Sequence, residues 1–157
     1  MTDVIDEVLS LSEGDELWDL RRTRPLVLEH LQGGYDAIFD PGSQTLAGLS
    51  LDERAAVALR VCVVAEADEL ANHYLQRIED LELARCAGIG ESADPRTQAI
   101  LDFATLVAGA PAESGLADIE LLRSVGLDDT AIITLSQLIA FTSFQLRVVH
   151  GLHMIGY

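Results

Sequence analysis

At 157 residues the chain can build one domain with a real core and is short of two ordinary ones. Hydrophobic residues make up 49% and charged residues 23%, the balance of a globular chain rather than a disordered one. Twenty-six acidic residues against ten basic ones, all arginine, give a formal charge of −16, which argues against nucleic acid and membrane surfaces as partners.

In chain order, Met1 to Ser10 carries three acids and no basic stretch, unlike a secretory leader. Ser12 and Asp15 form an S-x-x-D capping signal ahead of Leu17, Trp18 and Leu20. Pro25 suits the first turn of a second helix, through Leu28, Leu31 and Tyr35 toward Phe39. Asp40-Pro41-Gly42-Ser43 breaks it, and a polar loop runs on to Gly48. Ser50 and Glu53 make a capping box that opens a helix apolar almost all round, hence buried on most sides. Glu66, Asp68 and Glu69 suit the first turn of the next helix, which the spacing of Leu70, His73, Tyr74 and Arg77 carries on to about Cys86, before Gly88.

Asp94-Pro95 caps a further helix, Gly109 to Gly115 reads as a turn, and Ile119 to Val125 is a short helix ended by Gly126. Asp128 or Asp129 starts a last helix from Ala131 to about His150, before Gly151. Its apolar residues exceed what one surface helix needs, so it is either the centre of a bundle or also faces another copy of the chain. The longest apolar stretches are interrupted by charges short of a membrane span, and a cytoplasmic location is expected. No alternating strand pattern competes, so the fold class is all-α, a single domain over 1–157 with N-terminal helices in 3–40 and a core in 50–157.

The segment Leu49 to Val61 resembles the buried helix that leads into the active site in the carboxymuconolactone decarboxylase and alkylhydroperoxidase D-like (AhpD-like) superfamily. Arg24-Pro25 through Tyr35 is similar to the opening helix of its peroxidase-related branch, and Ser136 to Leu152 to its closing helix. The resemblance implies an all-α bundle assembled into homo-oligomers, often trimers or hexamers, with no cofactor. In the peroxidase-like members a C-x-x-C-x-x-x-H motif begins a helix, with a glutamate upstream, a setting that lowers a thiol's pKa and yields the attacking thiolate. In this chain the two cysteine positions fall on Ala67 and Leu70, the histidine position on Tyr74 and the glutamate position on Ala55. Dithiol reduction is therefore not expected. Cys62 and Cys86, 24 residues apart, read as two reduced, partly buried thiols. Residual peroxidase activity would need one of them to carry a depressed pKa.

Glu69-Leu70-Ala71-Asn72-His73 resembles the E-L-x-x-H pattern of the decarboxylase branch. Glu69 and His73 stand at i, i+4 and project from one helix face. A carboxylate beside an imidazole orients the ring for general acid or base work, so this pair is the catalytic candidate for lyase-like chemistry on a small organic molecule. The other reading is a surface ion pair that only stabilises the helix. Arg60, Arg77 or Arg147 could meet an anionic substrate. Glu66, Asp68 and Glu69 are explained by the helix dipole without a metal. Gly151 separates His150 from His153 and leaves their geometry undefined, so these two read as capping or packed histidines. His30 has no partner in sequence and is assigned no role, and Trp18 and Tyr35 read as core or interface aromatics. No nucleotide-binding or serine-hydrolase motif occurs. An inactive scaffold that binds a partner stands as the alternative from another functional class.

Overall fold

The computed structural model describes residues 3–42 and 48–156, so the loop expected over 43–47 lies outside the described residues. Those residues form nine α-helices and one 3-10 turn, with no strand: α1 (Val4–Val8), α2 (Glu16–Arg22), α3 (Pro25–Phe39), α4 (Leu51–Val64), α5 (Asp68–Leu75), α6 (Leu81–Ile89), α7 (Pro95–Gly109), the turn Pro111–Glu113, α8 (Leu116–Ser124) and α9 (Asp129–Ile155). It is an all-α single domain.

Helix α4 is the hub. The Ser50 hydroxyl accepts from Glu53 N–H while the Glu53 carboxylate accepts from Ser50 N–H, the reciprocal box expected from the sequence. Arg54 to Leu59, Val61 and Cys62 are all buried, because the small alanines 55, 56 and 58 let neighbours approach from every side. Helices α5, α6, α7 and α9 pack around it.

Three helix ends are closed by a residue in the left-handed region. After α1, α4 and α8 the next-but-one residue has positive φ: Ser10 at 54°, Glu66 at 55° and Gly126 at 92°. Each donates its N–H to the carbonyl three residues back, and the residue after it donates to the carbonyl five back: Leu11 to Asp6, Ala67 to Cys62, and Leu127 to Leu122. This double bond pattern is the Schellman closure. Only Gly126 supplies the residue type that enters this region without strain.

The structure corrects several sequence expectations. Asp15 is the residue at the start of α2, and its carboxylate accepts from both the N–H and the hydroxyl of Ser12, so the capping signal fastens the preceding loop. The helix expected from Asp68 to Cys86 is two helices. Asp80 caps α6 by accepting from Glu82 and Leu83 N–H, and Asp52 accepts from Glu79 and Asp80 N–H, which holds the break. Gly88 lies inside α6 and Gly90 follows it. The turn from Gly109 contains the short 3-10 stretch.

The largest difference is at α9, which continues through Gly151 to Ile155. A helical glycine costs only about 1 kcal/mol against alanine. Burial of Val149 and Leu152 on one face, with Leu17 of α2 close against Gly156, outweighs that cost. The 27-residue helix is long and apolar enough to cross a membrane, contrary to the shorter stretches expected. One face of it packs on α4 and α7, while Ile133 and Phe144 stand exposed on the other.

The N-terminal arm is held by buried charge. The Asp6 carboxylate, completely enclosed, meets both Arg21 and Arg22, and Asp3 pairs with Arg21 at 2.7 Å. Arg22 lies over the Trp18 ring, 3.4 Å from its centroid. The clasp joins α1 to α2 and seats Val4 and Ile5 in the core.

Candidate functional site

The corner between α4 and α5 lies opposite the C-terminal half of α9, and a cleft of about 660 Å³ opens between them. One wall is Glu66, Ala67, Asp68 and Glu69. The other is Ser143, Arg147, His150 and His153. Val61, Leu146 and Val149 form part of the lining between them. The size is within the range of small-molecule sites.

Glu69 and His73, the candidate pair, are not partners. Glu69 Oε2 lies 3.3 Å from His153 Nε2, and both residues line the cleft. His73 points instead at α3, where its Nε2 lies 2.7 Å from the Tyr35 hydroxyl. Burial pushes the Tyr35 phenol up to about 12, against the pull of the Arg77 charge, and burial together with that charge lowers the His73 imidazole. Both shifts favour the neutral forms, so this is a neutral hydrogen bond that clasps α3 to α5. Arg77 completes the clasp: its Nη2 donates to the Phe39 carbonyl at 3.0 Å and to Asp40 Oδ1 at 2.8 Å.

The pairing follows from the continuation of α9. Had Gly151 ended the helix, His153 would have had no fixed direction. In one unbroken helix His150 and His153 are separated by three residues and both line the cleft. The sequence did hold a signal: Val149 and Leu152 continue the buried face of α9 beyond Gly151 at helical spacing.

The three arginines offered for an anionic substrate separate cleanly. Arg60 donates to the carbonyls of Ala87 and Gly90 and closes the end of α6. Arg77 serves the α3–α5 clasp. Arg147 lines the cleft, with Nη1 donating to the Ser143 carbonyl at 3.0 Å.

The four positions onto which the resemblance maps the redox motif are filled in two ways. Ala55, Leu70 and Tyr74 are core residues, and Tyr74 is completely enclosed, with its hydroxyl donating to Gln145 Oε1. Ala67 alone of the four lines the cleft, at the residue before α5. Neither thiol reaches the cleft. Burial pushes Cys62 up to about 12, the reverse of the shift a thiolate needs. Cys86 is buried and its S–H donates to the Glu91 carbonyl at 3.2 Å. Among the described residues no group of three or more His, Cys, Asp or Glu side chains is arranged to hold a metal ion.

No family model and no curated protein matches the chain. A solved structure does: an uncharacterized peroxidase-related protein from Silicibacter sp. TM1040, at 25% identity and a TM-score of 0.69 over 79% of this chain. The two chains share a fold. It is the all-α architecture that the resemblance to the alkylhydroperoxidase D-like superfamily implies. This chain spans 66% of the neighbour's length.

Within that fold, Glu66 sits at the left-handed residue of the α4 closure, on the cleft's edge. A non-glycine residue there costs roughly 1–2 kcal/mol. The corner turns the chain so that Ala67, Asp68 and Glu69 all face the α9 wall.

Proposed function

We propose that the protein is a non-redox relative of the peroxidase-related fold that binds and transforms a small organic molecule in the α5–α9 cleft, with Glu69 and His153 as its acid–base pair. The observation that carries this reading is the 3.3 Å approach of the Glu69 carboxylate to the His153 imidazole at a cleft that contains no thiol. A carboxylate on one ring nitrogen fixes the orientation of the imidazole, the arrangement general acid–base catalysis uses. Proton transfer of the lyase type is the chemistry such a pair can supply. The enclosed Cys62 and the hydrogen-bonded Cys86 weigh against a residual thiol peroxidase.

The test compares Glu69→Gln, His153→Gln and His73→Gln for turnover across a panel of lactones, carboxylic acids and amines, with thermal melting as the control for folding. Loss in the first two variants and retention in the third is expected. Turnover that survives His153→Gln but disappears with His73→Gln overturns the assignment.

A homo-oligomer is part of the same proposal. Leu26 and Val27 are 65% and 52% exposed, Phe144 is 45% exposed, and with Leu31, Gly34 and Phe141 they line an apolar groove between α3 and α9. Groups of this kind are buried when a second copy covers them. Light scattering should give a multiple of the 17.0 kDa chain mass, and Phe144→Glu should reduce it to one chain. A monomeric wild-type protein refutes it.

A further inference from the structure

One wall of the α5–α9 cleft carries three carboxylates and the other a single guanidinium, and this restricts what can bind. Glu66, Asp68 and Glu69 line the α5 side, and Arg147, His150 and His153 the α9 side. Glu69 is engaged with His153. Glu66 and Asp68 form no ion pair among the described residues, and Arg147 forms none either, its guanidinium being held only to the Ser143 carbonyl of its own helix. The cleft therefore presents two carboxylates without a cation on one wall and a guanidinium without an anion on the other.

A ligand that is only anionic would meet Arg147 but face three carboxylates across the same space. One that is only cationic would satisfy Glu66 and Asp68 and leave Arg147 bare. Opposite charges at the two ends satisfy both walls at once, and like charge facing like charge is what excludes the alternatives. We infer that the cleft binds a small zwitterion, with a protonated amine directed to Glu66 and Asp68 and a carboxylate directed to Arg147. This rests on the α5–α9 cleft being the functional site, and it names the class of molecule that the acid–base pair meets there.

Isothermal titration of the full-length protein at low ionic strength with three matched probes, 4-aminobutanoate, butylamine and butanoate, tests the assignment. Binding of 4-aminobutanoate at least tenfold tighter than butylamine is expected, with no measurable binding of butanoate. Arg147→Met should bring 4-aminobutanoate down to the level of butylamine without changing butylamine itself. Glu66→Gln combined with Asp68→Asn should weaken both amines. Butanoate binding as tightly as 4-aminobutanoate overturns the ligand class, as does an unchanged ratio of the two amines in Arg147→Met, or a failure of all three probes to bind. None of these results touches the acid–base reading, which is decided separately by turnover in Glu69→Gln and His153→Gln.

Discussion

Replacing Tyr74 by Phe isolates the energetics of a side-chain hydrogen bond sealed inside the core. Tyr74 and Gln145 are both 0% exposed. The phenol donates to Gln145 Oε1, while Gln145 Nε2 has no hydrogen-bond partner. The wild-type core therefore already holds one unpartnered amide group, and Tyr74→Phe would add the carbonyl end of the same side chain. A buried polar group stripped of its partner costs about 1–3 kcal/mol. In a domain of this size each kcal/mol moves the melting temperature by about 2–4 °C, so the fall should lie between about 2 and 12 °C. The double variant Tyr74→Phe/Gln145→Met removes the polar atoms of both partners at nearly constant volume, and should be more stable than Tyr74→Phe alone. Thermal and urea denaturation of the three proteins measure this directly. A Tyr74→Phe protein as stable as wild type, or a double variant less stable than the single one, would refute the reasoning.

Asp6→Ala should destabilise the fold by about 1–3 kcal/mol in urea titration, because it takes the enclosed carboxylate from both arginines while Asp3 still holds Arg21 and Trp18 still underlies Arg22. At the α9 glycine, Gly151→Ala should stabilise by about 0.5–1 kcal/mol, since nothing lies within 4 Å of the added methyl and the helix is already formed. Glu66→Gly should likewise raise the melting temperature by relieving the left-handed backbone, while weakening binding in the cleft. Cys62 should resist thiol reagents at pH 8 in the folded protein and react at once in denaturant. Because its folded pKa is raised to about 12, burial favours the protonated thiol. That contribution is whole below the unfolded thiol's range and is lost as the pH climbs toward 12, so chemical denaturation should show stability falling above about pH 9.

Where a helix boundary is written in side-chain chemistry, the sequence was readable. The Ser50–Glu53 box, Asp94-Pro95 and Asp128 each begin a helix as their residue types require. Boundaries that depend on long-range packing were not. The break before α6 has one local mark, the Asp80 cap, but the helical spacing of Leu70, His73, Tyr74 and Arg77 masks it, and the break is also held by Asp52 from 28 residues away. The closures at Ser10 and Glu66 use residues that carry no left-handed signature, so only Gly126 could be recognised. The candidate site divides along the same line. Glu69 was singled out through the E-L-x-x-H pattern, and it does line the cleft. Its contact was not legible, because i, i+4 spacing supplies adjacency along one helix but says nothing of which neighbour each side chain meets. His73 is taken by Tyr35, and His153, 84 positions from Glu69, comes into range only through the continuation of α9 past Gly151.

The unbroken course of α9 also sets how this protein can change in length over evolution. Each residue turns a helix by about 100°. One insertion or deletion between Asp129 and Arg147 would swing Arg147, His150 and His153 away from the cleft and lift Leu152 out of the core in the same step. Substitutions along this stretch can be absorbed singly; a change of register cannot. The connection from Ala110 to Gly115, exposed for most of its length and bonded mainly to itself, has no such constraint. Natural variation in chain length should therefore collect there and be rare in the last helix, so the register of α9 is a criterion for deciding which distant relatives could share this cleft.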